Sequence, residues 1–348
     1  MRRIDFGRRY VQLKGPVKLR IDVRSIVVTA MLLVATAATG LFALMVGTLE
    51  LSIQDIFSAL IGQATGMTRT VVMEWRLPRV LAAIIFGMSL AVSGAIFQSI
   101  TRNPLGSPDI IGFSAGSYTG VLIVLLVSGA TSFISVAIGA LVGGFTTAIV
   151  IYLLAFRKGT QGFRLIIVGI AISAILGSVN SMLLLQSDAE VALTAAAWGV
   201  GSLNGVDWKH TLPAILLVVF LLICAGMMNR PLREMELGED AAKSHGVRIE
   251  PSQLLLILIA VALTAVPTAV MGPVSFVALV APQIAQRFTK STESLWPAAA
   301  MGAFLLIGAD VLAQRIITGM IFPVGVVTLS LGGIYLLWLL FQQARSSS

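Results

Sequence analysis

Apolar runs of membrane-spanning length recur along this whole chain, and no other feature limits its fold as strongly. They fall near residues 25–47, 80–100, 110–127, 132–155, 165–186, 211–228, 252–272, 273–288, 296–315 and 324–341. About 20 apolar residues in a helix cross a hydrocarbon core. Inside that core every backbone N–H and C=O needs an internal partner. The expected fold is therefore an all-α polytopic membrane protein with about ten transmembrane helices. Composition agrees: 57% of the 348 residues are hydrophobic and 11% are charged, against about 25% charged in a soluble domain. A cleaved signal peptide is not expected, because the stretch before the first apolar run is long and basic. The region 252–288 is the least regular, since Pro267, Pro273 and Pro282 interrupt it. It reads as two helices divided at Met271-Gly272-Pro273.

Charge sets the expected sidedness. The first 24 residues carry Arg2, Arg3, Arg8, Arg9, Lys14, Lys18, Arg20 and Arg24. Basic residues gather on the cytoplasmic side of a membrane, so the N-terminus is read as cytoplasmic. Alternation then puts Arg102, Arg157, Lys158, Arg164, Arg230, Arg233, Lys243, Arg248, Arg287, Lys290 and Arg345 on that side, with the C-terminus. Arg69, Arg76, Arg79, Lys209 and Arg315 fall outside. The net charge of +8 is thus a topology signal. These residues sit at helix ends without interleaved aromatics, which excludes a nucleic-acid footprint.

Residues 102–117, RNPLGSPDIIGFSAGS, place Pro104, Pro108, Gly106, Gly112 and Gly116 between two apolar runs. Asn103 and Pro104 are expected to turn the chain at the cytoplasmic end of the second helix. Pro108 suits the first turn of the third. Gly112 and Gly116, four apart among Ser114, Ala115 and Ser117, would let that helix approach a neighbour closely. The segment reads as a protein-buried reversal. Two outer connectors, 48–72 and 187–209, hold several acids, and Ile53–Leu60 has an amphipathic pattern. Short surface helices and plain connectors fit both equally.

The longest inward connector is NRPLREMELGEDAAKSHGVRIEP, residues 229–251. Pro231 is suited to open a helix, and Gly238 to stop it. Glu239 and Asp240 favour the start of a second helix, which Gly246 would close. Two readings fit: a docking platform, or a solvated loop.

The chain shows little that could carry chemistry by itself. It has no GxxxxGK[ST] phosphate loop, HExxH or GxSxG pattern. The lone Cys224 reads as a small buried hydrophobe. His210 and His245 are expected on opposite sides, which argues against a histidine metal site. Asp310 is the one acid well inside an apolar run. It is a functional candidate or a brace to a neighbouring helix.

Several separate stretches carry a resemblance. EWRLPRVLAAIIFGMSLAVSGAIFQSITRNPLGSPDIIGFSAGS, ELGEDAAKSHGV, MGPVSFVALVAPQIAQR, the GAD at 308–310 and FPVGVVTLSLGG resemble, in consistent order from about residue 25 to 343, the FecCD-type permeases. These are membrane subunits of importers for iron–siderophore complexes, haem and vitamin B12. Within the family, GAIFQSITRNPLGSPDIIGF, FRLIIVGI, GSLNG and PVGVVTLSLGGIYL are most similar to the second, G-type permease subunit of ferric enterobactin importers.

The resemblance implies the type II ABC importer permease fold of vitamin B12 and siderophore importers. That fold has a faint internal repeat of helices 2–5 against 7–10. It divides the chain into a basic cytoplasmic segment 1–24, a permease domain 25–343 with the coupling connector 229–251, and a tail 344–348. The expected setting is multi-pass in the inner membrane of a bacterium. Implied partners are a second permease in a heterodimer, two cytoplasmic ATPases and an extracytoplasmic siderophore-binding protein. ATP and Mg are used by the ATPase. This chain is expected to bind no cofactor and to be no enzyme. The implied cargo is a ferric siderophore of the catecholate, enterobactin-like kind, with haem or cobalamin as the variant.

Site roles come from the same resemblance. The ATPase would dock on Leu237, Gly238, Glu239, Asp240, Ala241, Ala242 and Gly246. Arg76 and Arg79 of WRLPR would meet carboxylates of the binding protein. The family's third arginine position reads Gln314, with Arg315 next to it. A pathway between the two permeases, lined by helices 5 and 10, would draw on Asn180, Met182, Gln186, Thr328 and Ser330. Two departures stand out: the family's Pro-His reads Pro282-Gln283, and the acid before PVG is absent. An ion-gradient-driven secondary transporter is the rival of another class, since broken helices suit it too.

Overall fold

The computed structural model describes residues 10–13, 19–47, 49–130, 132–155, 162–291, 295–316 and 322–346. The basic residues within 1–9 and 14–18, Arg157, Lys158 and the last two residues lie outside the described set, so the segments 1–24 and 344–348 are described only in part. The chain begins with a short antiparallel ribbon, β1 (Tyr10–Leu13) and β2 (Leu19–Asp22), in which Leu13 faces Leu19. Among the described residues, all other regular structure is helical.

The Asp22 carboxylate accepts the Arg24 N–H at 3.1 Å and starts α1 (Val23–Met45). Next comes α2 (Ile53–Leu60), held at its start by a reciprocal cap between Ser52 and Asp55. Its Ile56 and Ala59 are buried while Ile53 and Phe57 are exposed, so the amphipathic reading describes a surface helix.

The centre of the bundle is α3 (Gly66–Thr101). Its turns over Thr70–Arg76 widen into a π-helix, where the Leu77 N–H reaches back to the Val72 carbonyl. Pro78 accounts for this. A proline ring clashes with the carbonyl four residues before it, and the wider turn moves that carbonyl aside. In the π register the Met73 carbonyl would need the N–H that Pro78 lacks. The Trp208 indole supplies a donor instead, at 2.5 Å.

The break follows. α4 (Pro108–Ile111) has Ser107 as its cap and Pro108 in its first turn. Gly112, at φ 100°, turns the chain into α5 (Phe113–Ser128). The expected third helix is thus split, and Gly112 is the joint between its parts. Gly112 also lies close against Ser173, while Gly116 and Gly120 bring the chain close to α6 (Phe133–Ala155). A Cβ on Gly120 would lie 2.0 Å from the Gly139 carbonyl oxygen. Then come α7 (Gly162–Leu185), the short α8 (Ala189–Gly199) and α9 (Trp208–Met227), whose start Asp207 caps through the His210 N–H.

The connector forms α10 (Asn229–Glu236) and α11 (Glu239–Ser244), with Gly238 at φ 119° between them and Gly246 at φ 81° after them. α12 (Ile249–Met271) ends at Gly272, and α13 (Val277–Thr289) follows the break at Pro273. α14 (Leu295–Arg315) and α15 (Val324–Ser346) complete the chain. Among the described residues, α1, α3, α5, α6, α7, α9, α12, α13, α14 and α15 correspond to the ten apolar runs. Among the described residues, seven helices are long and apolar enough to cross a membrane alone. The 13 residues of α13 span only about 20 Å, shorter than a hydrocarbon core.

α3 is surrounded by α9, α12, α13 and α14. Small polar side chains bind it to them from within. Ser89 Oγ donates to the Leu263 carbonyl, Ser93 Oγ to that of Ala260 at 2.7 Å, and Gln98 Nε2 to that of Leu279 at 2.9 Å. Such bonds satisfy polar groups where water is absent. On the α14 side, a Cβ on Gly87 would lie 2.3 Å from the Gly302 carbonyl oxygen, so backbones are in direct contact.

Candidate functional site

The connector stands at the end of the bundle where α1 begins and α3 ends. Leu232, Met235 and Ala242 are buried beneath it and fasten it down. Leu237, by contrast, is 70% exposed at the tip between α10 and α11. Asp240 and Gly246 are exposed, and Ala241 is partly so. The Glu239 side chain lies outside the described set. An exposed leucine amid charged residues, on two rigid turns of helix, forms a raised apolar point on a polar platform. His245 Nδ1 and Glu234 Oε2, 2.6 Å apart, tie the two turns together.

The platform is joined to the break in RNPLGSPDIIGFSAGS. Ser99 Oγ donates to Glu236 Oε1, and Arg102 Nη2 donates to the Met235 carbonyl at 3.1 Å. On the other side Gln283 Nε2 donates to the Pro104 carbonyl at 2.8 Å. The residue that departs from the family's Pro-His pattern therefore holds the turn itself. Sequence reasoning passed over Ser99, Glu236 and Gln98. Ser99 and Glu236 are 137 positions apart, and neither carries a local signal. Gln283 was visible only as a departure.

At the opposite end, the three arginines have different surroundings. Arg76 Nη1 donates to the Leu44 and Met45 carbonyls at 2.7 and 3.2 Å, and its Nη2 to that of Leu49 at 2.5 Å. It thus covers carbonyls left open at the end of α1. Gly47 makes room for it, since a Cβ there would lie 2.4 Å from Nη2. Arg79 pairs with Asp310, whose residue is 1% exposed. Gln314 Nε2 also donates to Asp310 Oδ2, at 2.8 Å. Of the two readings for Asp310, the brace between helices describes its contacts. Arg315 is exposed and makes no hydrogen bond or ion pair among the described residues.

The pathway candidates divide. Asn180 is buried, and its Oδ1 accepts from Thr119 Oγ1 at 2.8 Å, a packing contact between α7 and α5. Met182 on α7 and Gln186 just past its end are exposed, as is Ser330 on α15. Thr328 is buried and donates to the Gly325 carbonyl at 3.1 Å. α7 packs on α5 and α6, whereas α15 packs on α14 and α13. One chain therefore does not bring the two sets of candidates together.

The whole chain can be compared with known proteins. Residues 32–342 match the FecCD transport family. The ferric enterobactin transport system permease protein FepG of Escherichia coli is 47% identical over 324 residues, 92% of this chain and 98% of its own. The hemin transport system permease protein HmuU of Yersinia pestis is 35% identical over 78% of this chain and 84% of its own. A solved chain from a metal-chelate type ABC transporter in an inward-facing conformation superposes with a TM-score of 0.81 at 25% identity, covering 91% of this chain and 99% of that one. On sequence and on fold together, the chain belongs to the FecCD transport family.

Proposed function

We propose that this chain is a permease subunit of an ABC importer that carries a ferric catecholate siderophore of the enterobactin kind into the cytoplasm, driven by separate ATPases. The observation that carries this reading is the close kinship with the ferric enterobactin permease, which extends over nearly the whole chain. The platform at α10 and α11 supports the division of labour. Its exposed Leu237 is a natural contact for a cytoplasmic ATPase, which would bind the ATP and Mg. The clustering of Arg24, Arg102, Arg230, Arg233, Lys243, Arg248, Arg287 and Lys290 at that end supports a cytoplasmic placement of the platform and both termini. The separation of α7 from α15 favours a pathway completed by a second permease.

Of the three arginines proposed to meet a binding protein, Arg315 is, among the described residues, the one still available to a carboxylate. Arg76 and Arg79 are engaged within the bundle. Arg315→Glu is expected to weaken docking of that protein, more at low ionic strength than at high.

The decisive experiment is uptake in right-side-out or reconstituted vesicles containing the complete transporter, with ATP enclosed on the platform side. Ferric enterobactin uptake is expected to need ATP on the platform side and to persist when the proton gradient is collapsed. Uptake that stops with the gradient while ATP stays high would refute the reading in favour of a secondary transporter. Transport of haem or cobalamin in preference to the catecholate would refute the cargo alone.

A further inference from the structure

Asp109 lies in α4, within the break, and both of its carboxylate oxygens are engaged. Ser114 Oγ donates to Oδ1 at 3.0 Å. The backbone N–H of Phe276 donates to Oδ2 at 3.3 Å, across 167 positions of sequence. Phe276 has φ 71°, a left-handed conformation at the entry to α13. A bulky aromatic residue adopts it only where its surroundings hold it there, and such outliers gather at switch regions.

The ring that this conformation aims is pressed onto α15. A Cβ on Gly332 would lie 2.3 Å from both Cβ and Cγ of Phe276. Beside the ring is a half-open apolar groove of about 180 Å³, lined by Phe276 and Gly332 themselves with Val280, Leu305, Thr328 and Tyr335 among others. The groove leaves space next to the ring, so the hold on the Phe276 amide bears on where the ring rests.

The other end of this arrangement leads to the platform. Arg102 at the start of the break binds α10 through the Met235 carbonyl, and Pro104 binds α13 through Gln283. The contacts form one physical series from α10, through the break and Asp109, to Phe276 and α15. A contiguous series of packed contacts of this kind is a route by which movement passes between sites.

We propose that Asp109 is a positioning residue for transport: it holds the Phe276 amide so that the ring stays wedged on Gly332, and it thereby links movement of the platform to α15. This rests on the importer reading above. The reconstituted wild-type complex tests that reading first: without ATP-dependent uptake of ferric enterobactin, the importer reading fails whatever the variants do.

With that established, the quantity to measure is substrate moved per ATP hydrolysed. Asp109→Ala is expected to lower it about tenfold while ATP hydrolysis continues, the scale expected from losing one such constraint. Asp109→Asn keeps a carbonyl oxygen for the Phe276 N–H and should stay within about twofold of wild type. Gly332→Ala displaces the ring from the other side and should reproduce the loss. The double variant Asp109→Ala with Gly332→Ala should be no worse than either alone. A wild-type ratio in Gly332→Ala overturns the proposal, as do losses that multiply in the double variant. Equal declines of hydrolysis and uptake overturn it too, since they indicate a merely structural role. If Asp109→Ala does not assemble, Gly332→Ala decides the matter alone.

Discussion

Arg79 grips Asp310 through three hydrogen bonds, Nη2 to Oδ1 at 2.7 Å, Nε to Oδ2 at 2.9 Å and Nε to Oδ1 at 3.2 Å, joining α3 to α14 across 231 positions of sequence. Removing one partner leaves the other charge buried alone. Asp310→Ala is expected to destabilise the protein by about 3–5 kcal/mol. Exchanging both for apolar residues, Arg79→Met with Asp310→Leu, should recover most of that loss. Thermal unfolding in lipid nanodiscs checks this. Additive losses in the double variant would show that the two residues do not act as a pair.

The end of α1 depends on Arg76. Arg76→Ala uncovers the Leu44, Met45 and Leu49 carbonyls, and Gly47→Val forces the guanidinium away. Both variants are expected to raise hydrogen exchange at Val46–Leu51, by a similar factor of about ten, as loss of a charge-assisted hydrogen bond permits. Unchanged exchange in either variant would mean that Arg76 does not secure this end.

The π-helix of α3 leaves a carbonyl that Trp208 serves. Trp208→Phe keeps the bulk and deletes the indole donor. The expected cost is about 1–3 kcal/mol, the penalty for an unpaired buried carbonyl. Pro78→Ala in the same chain should return much of it, because a regular helical N–H becomes available at residue 78. A melting temperature equal to wild type in Trp208→Phe would count against this account.

The platform should loosen when its hydrogen bonds to α3 are cut. Ser99→Ala and Arg102→Ala are each expected to increase exchange across α10, while α12 stays protected. The same variants should reduce co-purification of the ATPase less than Leu237→Asp, which alters the exposed tip directly. Equal effects of all three would place the contact elsewhere on the connector.

Asp55 gives α2 a pH dependence of known sign. The Ser52 hydroxyl and backbone N–H hold its carboxyl below the ordinary value of 3.8. A depressed folded pKa contributes stability above the unfolded value, and this is lost as pH falls through the folded one. Protection of the Phe57–Ile61 amides should therefore hold above pH 3.8 and decline below it. Asp55→Asn should remove that decline.

Much of the architecture was legible because its causes are local. Membrane spans announce themselves by length and hydrophobicity, and the stops at Gly238, Gly246 and Gly272 follow from the one residue type that favours positive φ. Even the division at Met271-Gly272-Pro273 could be read. The split of the third helix at Gly112 could not. A glycine at helical spacing looks the same whether it only lines a face or also turns the chain, and only the φ of 100° that Gly112 takes in the fold separates the two.

By itself, then, the sequence determined the apolar helices, the two short helices of the connector and the family. Each of these depends on residues a few positions apart. The tertiary structure alone decided which partner every buried polar group found: Arg76 on the end of α1, Arg79 on Asp310, Trp208 on Met73 and Asp109 on Phe276. In a water-poor interior each such group must pair with whatever the folded chain brings within about 3 Å. That neighbour lies from tens to hundreds of positions away, where no local pattern reaches.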